Sequence, residues 1–119
     1  MDRSPEIELS ASFGALSDAS RRQMIRLLLQ KPRRAGELAE CLDMSPQALS
    51  RHLRVLRKAG LIFEQGIERD ARVRIYGVHA NAFQPVQDFL AQVENLWRRQ
   101  LQAFKAFAEN PRRVGRLKA

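Results

Sequence analysis

The chain has 119 residues, with 21 Lys and Arg against 13 Asp and Glu, a formal net charge of +8 and a sequence pI near 11.0. A hydrophobic content of 45% with 29% charged residues excludes wholesale disorder. The longest uncharged stretch, Ile75 to Gln87, contains Gln, Asn, His and Pro, and falls short of the roughly 18 apolar residues that a membrane span needs.

The length predicts one domain, placed over residues 1–110, and large enough to bury a proper core. Met1 to Glu6 lacks the apolar segment of a secretory signal, and a single cysteine, Cys41, excludes an intrachain disulfide or a cysteine-only zinc site. Both features predict a protein of the reducing cytoplasm. A pI this high suggests nucleic acid only where the positive charge is focused on one surface.

Taken in chain order, a first helix is expected over roughly Glu6 to Ala15, with Ile7, Leu9 and Phe13 as its apolar residues. A second begins at Ser17-Asp18, where either side chain can cap the first turn, and stops near Lys31 because Pro32 follows. Leu27 points away from the stripe of Ile25, Leu28 and Leu29, so this helix is expected to be covered on more than one side. A third, short helix fits Ala35 to Leu42, with Leu38, Ala39 and Leu42 on one face.

Ser45-Pro46 then supplies an N-cap followed by proline at the first helical position, and the helix it opens runs to Ala59 and ends at Gly60. Two helices joined by about three residues have the spacing of a helix-turn-helix. Beyond Gly60 the period changes to alternation. Leu61–Gly66 and Arg72–Val78 read as strands, with Ile67–Ala71 as the charged tip between them. A long helix from Asn81 to about Asn110 follows, with Pro85 in its first turn. Phe83, Val86, Phe89, Leu90, Val93, Trp97, Leu101, Phe104 and Ala108 recur along it every three or four residues. Residues 111–119, with Arg112, Arg113, Arg116 and Lys118, are expected to be a frayed basic tail. The predicted fold is mainly α with a β-hairpin, in the order α-α-α-α-β-β-α.

The helix from Pro46 to Ala59 focuses the charge. At 100° per residue, Ala48, Leu49, Leu53, Val55, Leu56 and Ala59 share one broad sector with His52, while Gln47, Ser50, Arg51, Arg54, Arg57 and Lys58 share the opposite one. Ser45 to Gly60 contains four basic residues and no acidic one. A merely solvated face would more typically mix Glu with Lys at i,i+4 spacing. Long arginines reach phosphates or the O6/N7 edge of guanine, and Gln47 and Ser50 near the helix start reach base edges in the major groove. Ala48 is small enough for close approach to a thymine methyl.

In the hairpin, Arg69 lies at the tip and Arg72 and Arg74 share one strand face, suited to the sugar-phosphate backbone or a narrow minor groove. Glu64, Glu68 and Asp70 dilute that charge. Nucleophile–base pairs, phosphate-cradling glycine loops and paired carboxylates are missing, so no enzymatic activity is expected.

This ordered series resembles the ArsR family of winged helix-turn-helix repressors. The resemblance runs from about Phe13 to Phe107. It rests on Ala15-Leu16-Ser17-Asp18 with Arg21, Arg22 and Ile25, on Gly36-Glu37-Leu38-Ala39, and on Met44 through Leu56. Ala59-Gly60-Leu61-Ile62, the strand residues Arg72, Val73, Tyr76 and Val78, and the Phe89–Trp97 segment complete it. It implies a homodimer that binds double-stranded operator DNA, in an inverted repeat, and represses transcription until a signal weakens it. The resemblance assigns base reading to Gln47, Ala48, Ser50 and Arg51, and backbone contacts to Ser45, Arg54 and the wing residues Arg69, Arg72 and Arg74. It also gives the first and last helices the dimer interface, through Phe13, Phe89, Val93, Trp97, Leu101 and Phe104.

Metal-sensing relatives do not share their ligands with this chain. Where one known site has two cysteines two apart, this sequence has Ala39 and Cys41, and the C-terminal helix has no His. No metal or other cofactor is expected. His79 is expected at a strand end and His52 as a partly buried spacer. Cys41, beside Glu40 and Asp43, is expected to pack as an inert thiol. Two alternatives remain open, a redox-responsive regulator acting through Cys41 and a helical dimerisation or protein-interaction module without DNA. The sequence names no inducer.

Overall fold

The computed structural model describes residues 4–67 and 69–109, which form five helices and three strands. The helices are α1 (Pro5–Leu16), α2 (Ala19–Gln30), α3 (Ala35–Leu42), α4 (Pro46–Lys58) and α5 (Gln84–Ala108); the strands are β1 (Arg33–Arg34), β2 (Ile62–Ile67) and β3 (Asp70–Val78). The chain divides into two units, Met1–Val86 and Gln87–Ala119.

In the first unit, local chemistry sets the helix ends. Ser4 caps α1 by accepting from the Ile7 N–H, and the Asp18 carboxylate caps α2 by accepting from the Arg21 N–H at 3.0 Å. Of the two candidate caps at this point, Asp18 does the work; Ser17 closes α1, its hydroxyl donating to the Gly14 carbonyl. The C-terminal carbonyls of α1 and α2 are then satisfied by arginines from later in the chain. Arg21 donates to the carbonyls of Ala15 (2.6 Å) and Gly14 (3.1 Å), Arg22 to Leu16, and Arg33 to Leu27.

The α3–α4 turn is short because Asp43 adopts the left-handed conformation, φ 49°, and lets Met44 N–H return to the Ala39 carbonyl. Ser45 then accepts from the Ala48 N–H, and Pro46 opens α4. At the far end Gly60, φ 77°, gives a Schellman stop: Leu61 N–H bonds the Leu56 carbonyl and Gly60 N–H bonds that of Arg57. Leu56 and Leu61, brought together by that motif, are both fully buried.

The core gathers one face from each element. Met24, Ile25 and Leu28 of α2, Leu38 of α3, and Leu49, Leu53 and Leu56 of α4 pack with Leu61, Ile62 and Ala15. Leu27 is half-buried against this cluster, so α2 is covered on more than one side, as its wide apolar arc requires. Val55 departs from expectation. It sits at the margin of the apolar sector and is exposed.

The sheet has the order β1-β3-β2, with both pairings antiparallel. β1 is only two residues long and pairs with Tyr76 and Ile75, too short to show an alternating pattern. The β2–β3 ladder extends to Ile67 opposite Asp70, so the hairpin tip is tighter than the expected Ile67–Ala71. Phe63 lies over its partner Gly77, where a Cβ would approach the ring to 2.5 Å, and its ring packs at 5.7 Å from that of His79.

α5 starts at Gln84 rather than Asn81, because residues 81–83 form a turn in which Gln84 N–H bonds the Asn81 carbonyl. Over its 25 residues none is buried. Phe89, Leu90, Val93, Leu96, Trp97, Leu101 and Phe104 are all exposed, and at 100° per residue they occupy one sector roughly 140° wide. Glu68 and the expected tail at 111–119 lie outside the described residues, as does the helix end at Asn110.

Candidate nucleic-acid interface

α4 lies with Leu49, Leu53 and Leu56 in the core, which turns Gln47, Ser50, Arg51, Arg54, Arg57 and Lys58 to solvent. Ala48 is half-buried at the boundary of this face. Ser45 is exposed, and while its Oγ accepts the capping bond its hydroxyl proton remains able to donate outward. The structure thus brings five of the sequence-predicted residues, Ser45, Gln47, Ser50, Arg51 and Arg54, onto one open surface. The helix dipole at the α4 N-terminus adds to its positive potential.

The position of α4 is fixed from two sides. His52, half-buried as expected, lies with Nδ1 3.4 Å from an Arg21 guanidinium nitrogen, the same arginine that closes α1. At the other end Arg57 forms an ion pair with Glu64 of β2. Arg74 of β3 approaches the same carboxylate, its Nε 3.6 Å from Oε1. Glu64 therefore joins the last turn of α4 to the returning strand of the hairpin.

That junction divides the predicted wing arginines. Arg69 and Arg72 are exposed, and among the described residues no ion pair engages either. Arg74 is also exposed, but its guanidinium folds back toward Glu64 across Gly66, where a Cβ would lie 3.1 Å from Nη1. Alternation holds over the first half of β3, where the exposed Arg72 and Arg74 are each followed by a half-buried residue, Val73 and Ile75.

Four residues that close helix ends or join α4 to the hairpin carry weak sequence signals. Arg21, Arg22 and Arg33 spend their charge on helix ends six residues upstream, and Glu64 looked only like a dilution of positive charge. Asp18 shows the same economy of groups. Its carboxyl is held below its ordinary pKa chiefly by the hydrogen bond from Arg21 N–H, with the charges of Arg21 and His52 assisting.

Cys41 is exposed, contrary to the expectation of a packed thiol, because it falls on the solvent side of the short α3. Among the described residues no three of His, Cys, Asp and Glu gather as metal ligands would. No helix among them is long and apolar enough to cross a membrane.

A short helix, a tight turn, a second helix with a cationic outer face and a β-hairpin beside it define a winged helix-turn-helix domain. The profile described as "Bacterial regulatory protein, arsR family" matches residues 18–63. The chain is similar to an ArsR-like transcriptional regulator from Rhodococcus sp. RHA1, with a TM-score of 0.75 and 30% identity over 87% of this chain and 92% of that one. It is similar also to the crystal structure of another ArsR family transcriptional regulator, with a TM-score of 0.70 and 31% identity over 82% of this chain and 97% of that one. The HTH-type transcriptional regulator Rv2034 of Mycobacterium tuberculosis is 38% identical over 63 residues, which are 53% of this chain and 55% of that protein's length. The chain belongs to the ArsR family of bacterial transcriptional regulators.

Proposed function

We propose that the protein is a homodimeric repressor that reads an inverted-repeat operator in double-stranded DNA, in the cytoplasm. The observation that carries this is the division of α4, with leucines in the core and an uninterrupted cationic, hydrogen-bonding face in solvent. Gln47, Ala48, Ser50 and Arg51, nearest the helix start, read base edges in the major groove. Ser45 and Arg54 hold the backbone on either side, and the hairpin adds Arg69 and Arg72, with Arg74 set by Glu64. Phe13, Phe89, Val93, Trp97, Leu101 and Phe104 supply the interface to a second copy. The exposed apolar sector of α5 supports that assignment, since a contiguous apolar stripe on this scale marks an association surface.

Fluorescence anisotropy with duplex DNA, beside sedimentation of the free protein, tests the proposal. A dimer at micromolar concentration should bind duplex with affinity falling by orders of magnitude between about 50 and 200 mM salt. A protein that is monomeric, or one that pairs through α5 but binds no duplex at low salt, contradicts it.

A further inference from the structure

Between α3, α4 and β3 lies a basin of about 240 Å³. Its walls are apolar, formed by Ala35 and Ala39 of α3 and by Leu49 and Leu53 of α4, with Tyr76 of β3 across from them. Roughly 150 Å³ is enough to hold a benzene ring. Gly36, in the first turn of α3, sits at this opening, where a Cβ would meet nothing within 4 Å. Arg54 and Arg57 stand at the rim and no carboxylate lines the basin. Arg57 is offset by Glu64, while no ion pair among the described residues engages Arg54.

We propose that this basin binds a small aromatic carboxylate, its ring against the α3–α4 walls and its carboxylate on Arg54. One uncompensated guanidinium suits a monoanion, and the apolar walls suit a ring that inorganic phosphate lacks. The second part rests on the DNA-binding assignment above: Ser50 and Arg54 line the basin and face DNA, so ligand and operator exclude one another, and the ligand acts as an inducer.

The test titrates the DNA-free full-length protein with benzoate, benzamide and inorganic phosphate while amide resonances are followed by NMR. Benzoate should give saturable shifts at Gly36, Ala39, Ser50 and Tyr76, and benzamide should bind about tenfold more weakly. Arg54→Gln should erase the preference for benzoate over benzamide. Ala39→Leu, which fills the basin without changing charge, should abolish binding of both with its circular dichroism unchanged. Equal binding of benzamide, shifts confined to other regions, or phosphate reproducing the benzoate shifts would each overturn the site, and the Arg54→Gln result decides the matter if Ala39→Leu does not fold. At constant ionic strength, benzoate should also raise the apparent Kd for duplex where chloride does not. Duplex binding indifferent to benzoate would overturn the inducer role. Benzoate binding by a protein that ignores all duplexes would instead overturn the DNA assignment and leave the site standing.

Discussion

α4 and α5 are both amphipathic, and the fold treats them in opposite ways. α4 sinks its leucines into the core and shows solvent a polar, cationic face; α5 leaves Trp97, Leu101 and Phe104 exposed. A buried stripe stabilises the chain that owns it, whereas an exposed one stores free energy for association. On the function proposed above, the difference separates a helix placed for an outside polyanion from a helix placed to pair with a second copy.

The sharpest contrast comes from truncating one apolar side chain in each helix. Leu56→Ala should destabilise the protein by about 2–5 kcal/mol, measured by urea unfolding, because a fully buried leucine leaves a cavity. Trp97→Ala should instead leave unfolding of the isolated chain within about 0.5 kcal/mol of wild type. It should weaken the dimer by roughly a thousandfold in sedimentation, because each of the two protomers loses an aromatic anchor worth about 2 kcal/mol. If Trp97→Ala unfolded the monomer and spared the dimer, the comparison would break.

The charged face of α4 can be tested through its tether. Glu64→Gln releases Arg57 and Arg74 and removes a negative charge near the hairpin. Binding to non-specific duplex should strengthen, with a salt slope steeper by about one to two. An unchanged slope would show that neither arginine reaches phosphate. The smallest effect concerns acid. With its pKa lowered in the folded state, the Asp18 carboxylate contributes stability that is fully present at neutral pH and is lost as pH falls through the carboxylate range. The stability gap between wild type and Asp18→Ala should therefore narrow on acidification; a gap independent of pH would show that the charged cap is not its source.

α4 was legible in the sequence almost to the residue because both of its ends carry strong signals, Ser45-Pro46 and Gly60, and its two faces differ in every residue type. α3 was legible for the same reason of clear periodicity. β1 was not, since two arginines have no period, and it exists only because β3 offers an edge to pair with. The arginine caps were hidden for another reason. Arg21, Arg22 and Arg33 look like surface charge until the chain folds back and places open carbonyls beside them. The count of 21 Lys and Arg thus overstates the cations free for an outside partner, because some bond helix-end carbonyls and others pair with Glu64. Cys41 shows the converse error, a small residue in a short helix whose covered side is taken by Leu38.

The central claim, that the outer face of α4 reads base sequence as part of a two-fold dimer, is tested most directly by selecting duplexes from a randomised pool with wild type and with Arg51→Ala. The wild type should enrich an inverted repeat whose half-sites lie about one helical turn, or a multiple, apart. Arg51→Ala should lose preference at one base pair in each half-site, about 1–3 kcal/mol of discrimination, while keeping the remainder of the motif. Enrichment of no motif by the wild type, or an Arg51→Ala motif identical to it at every position, would contradict the account.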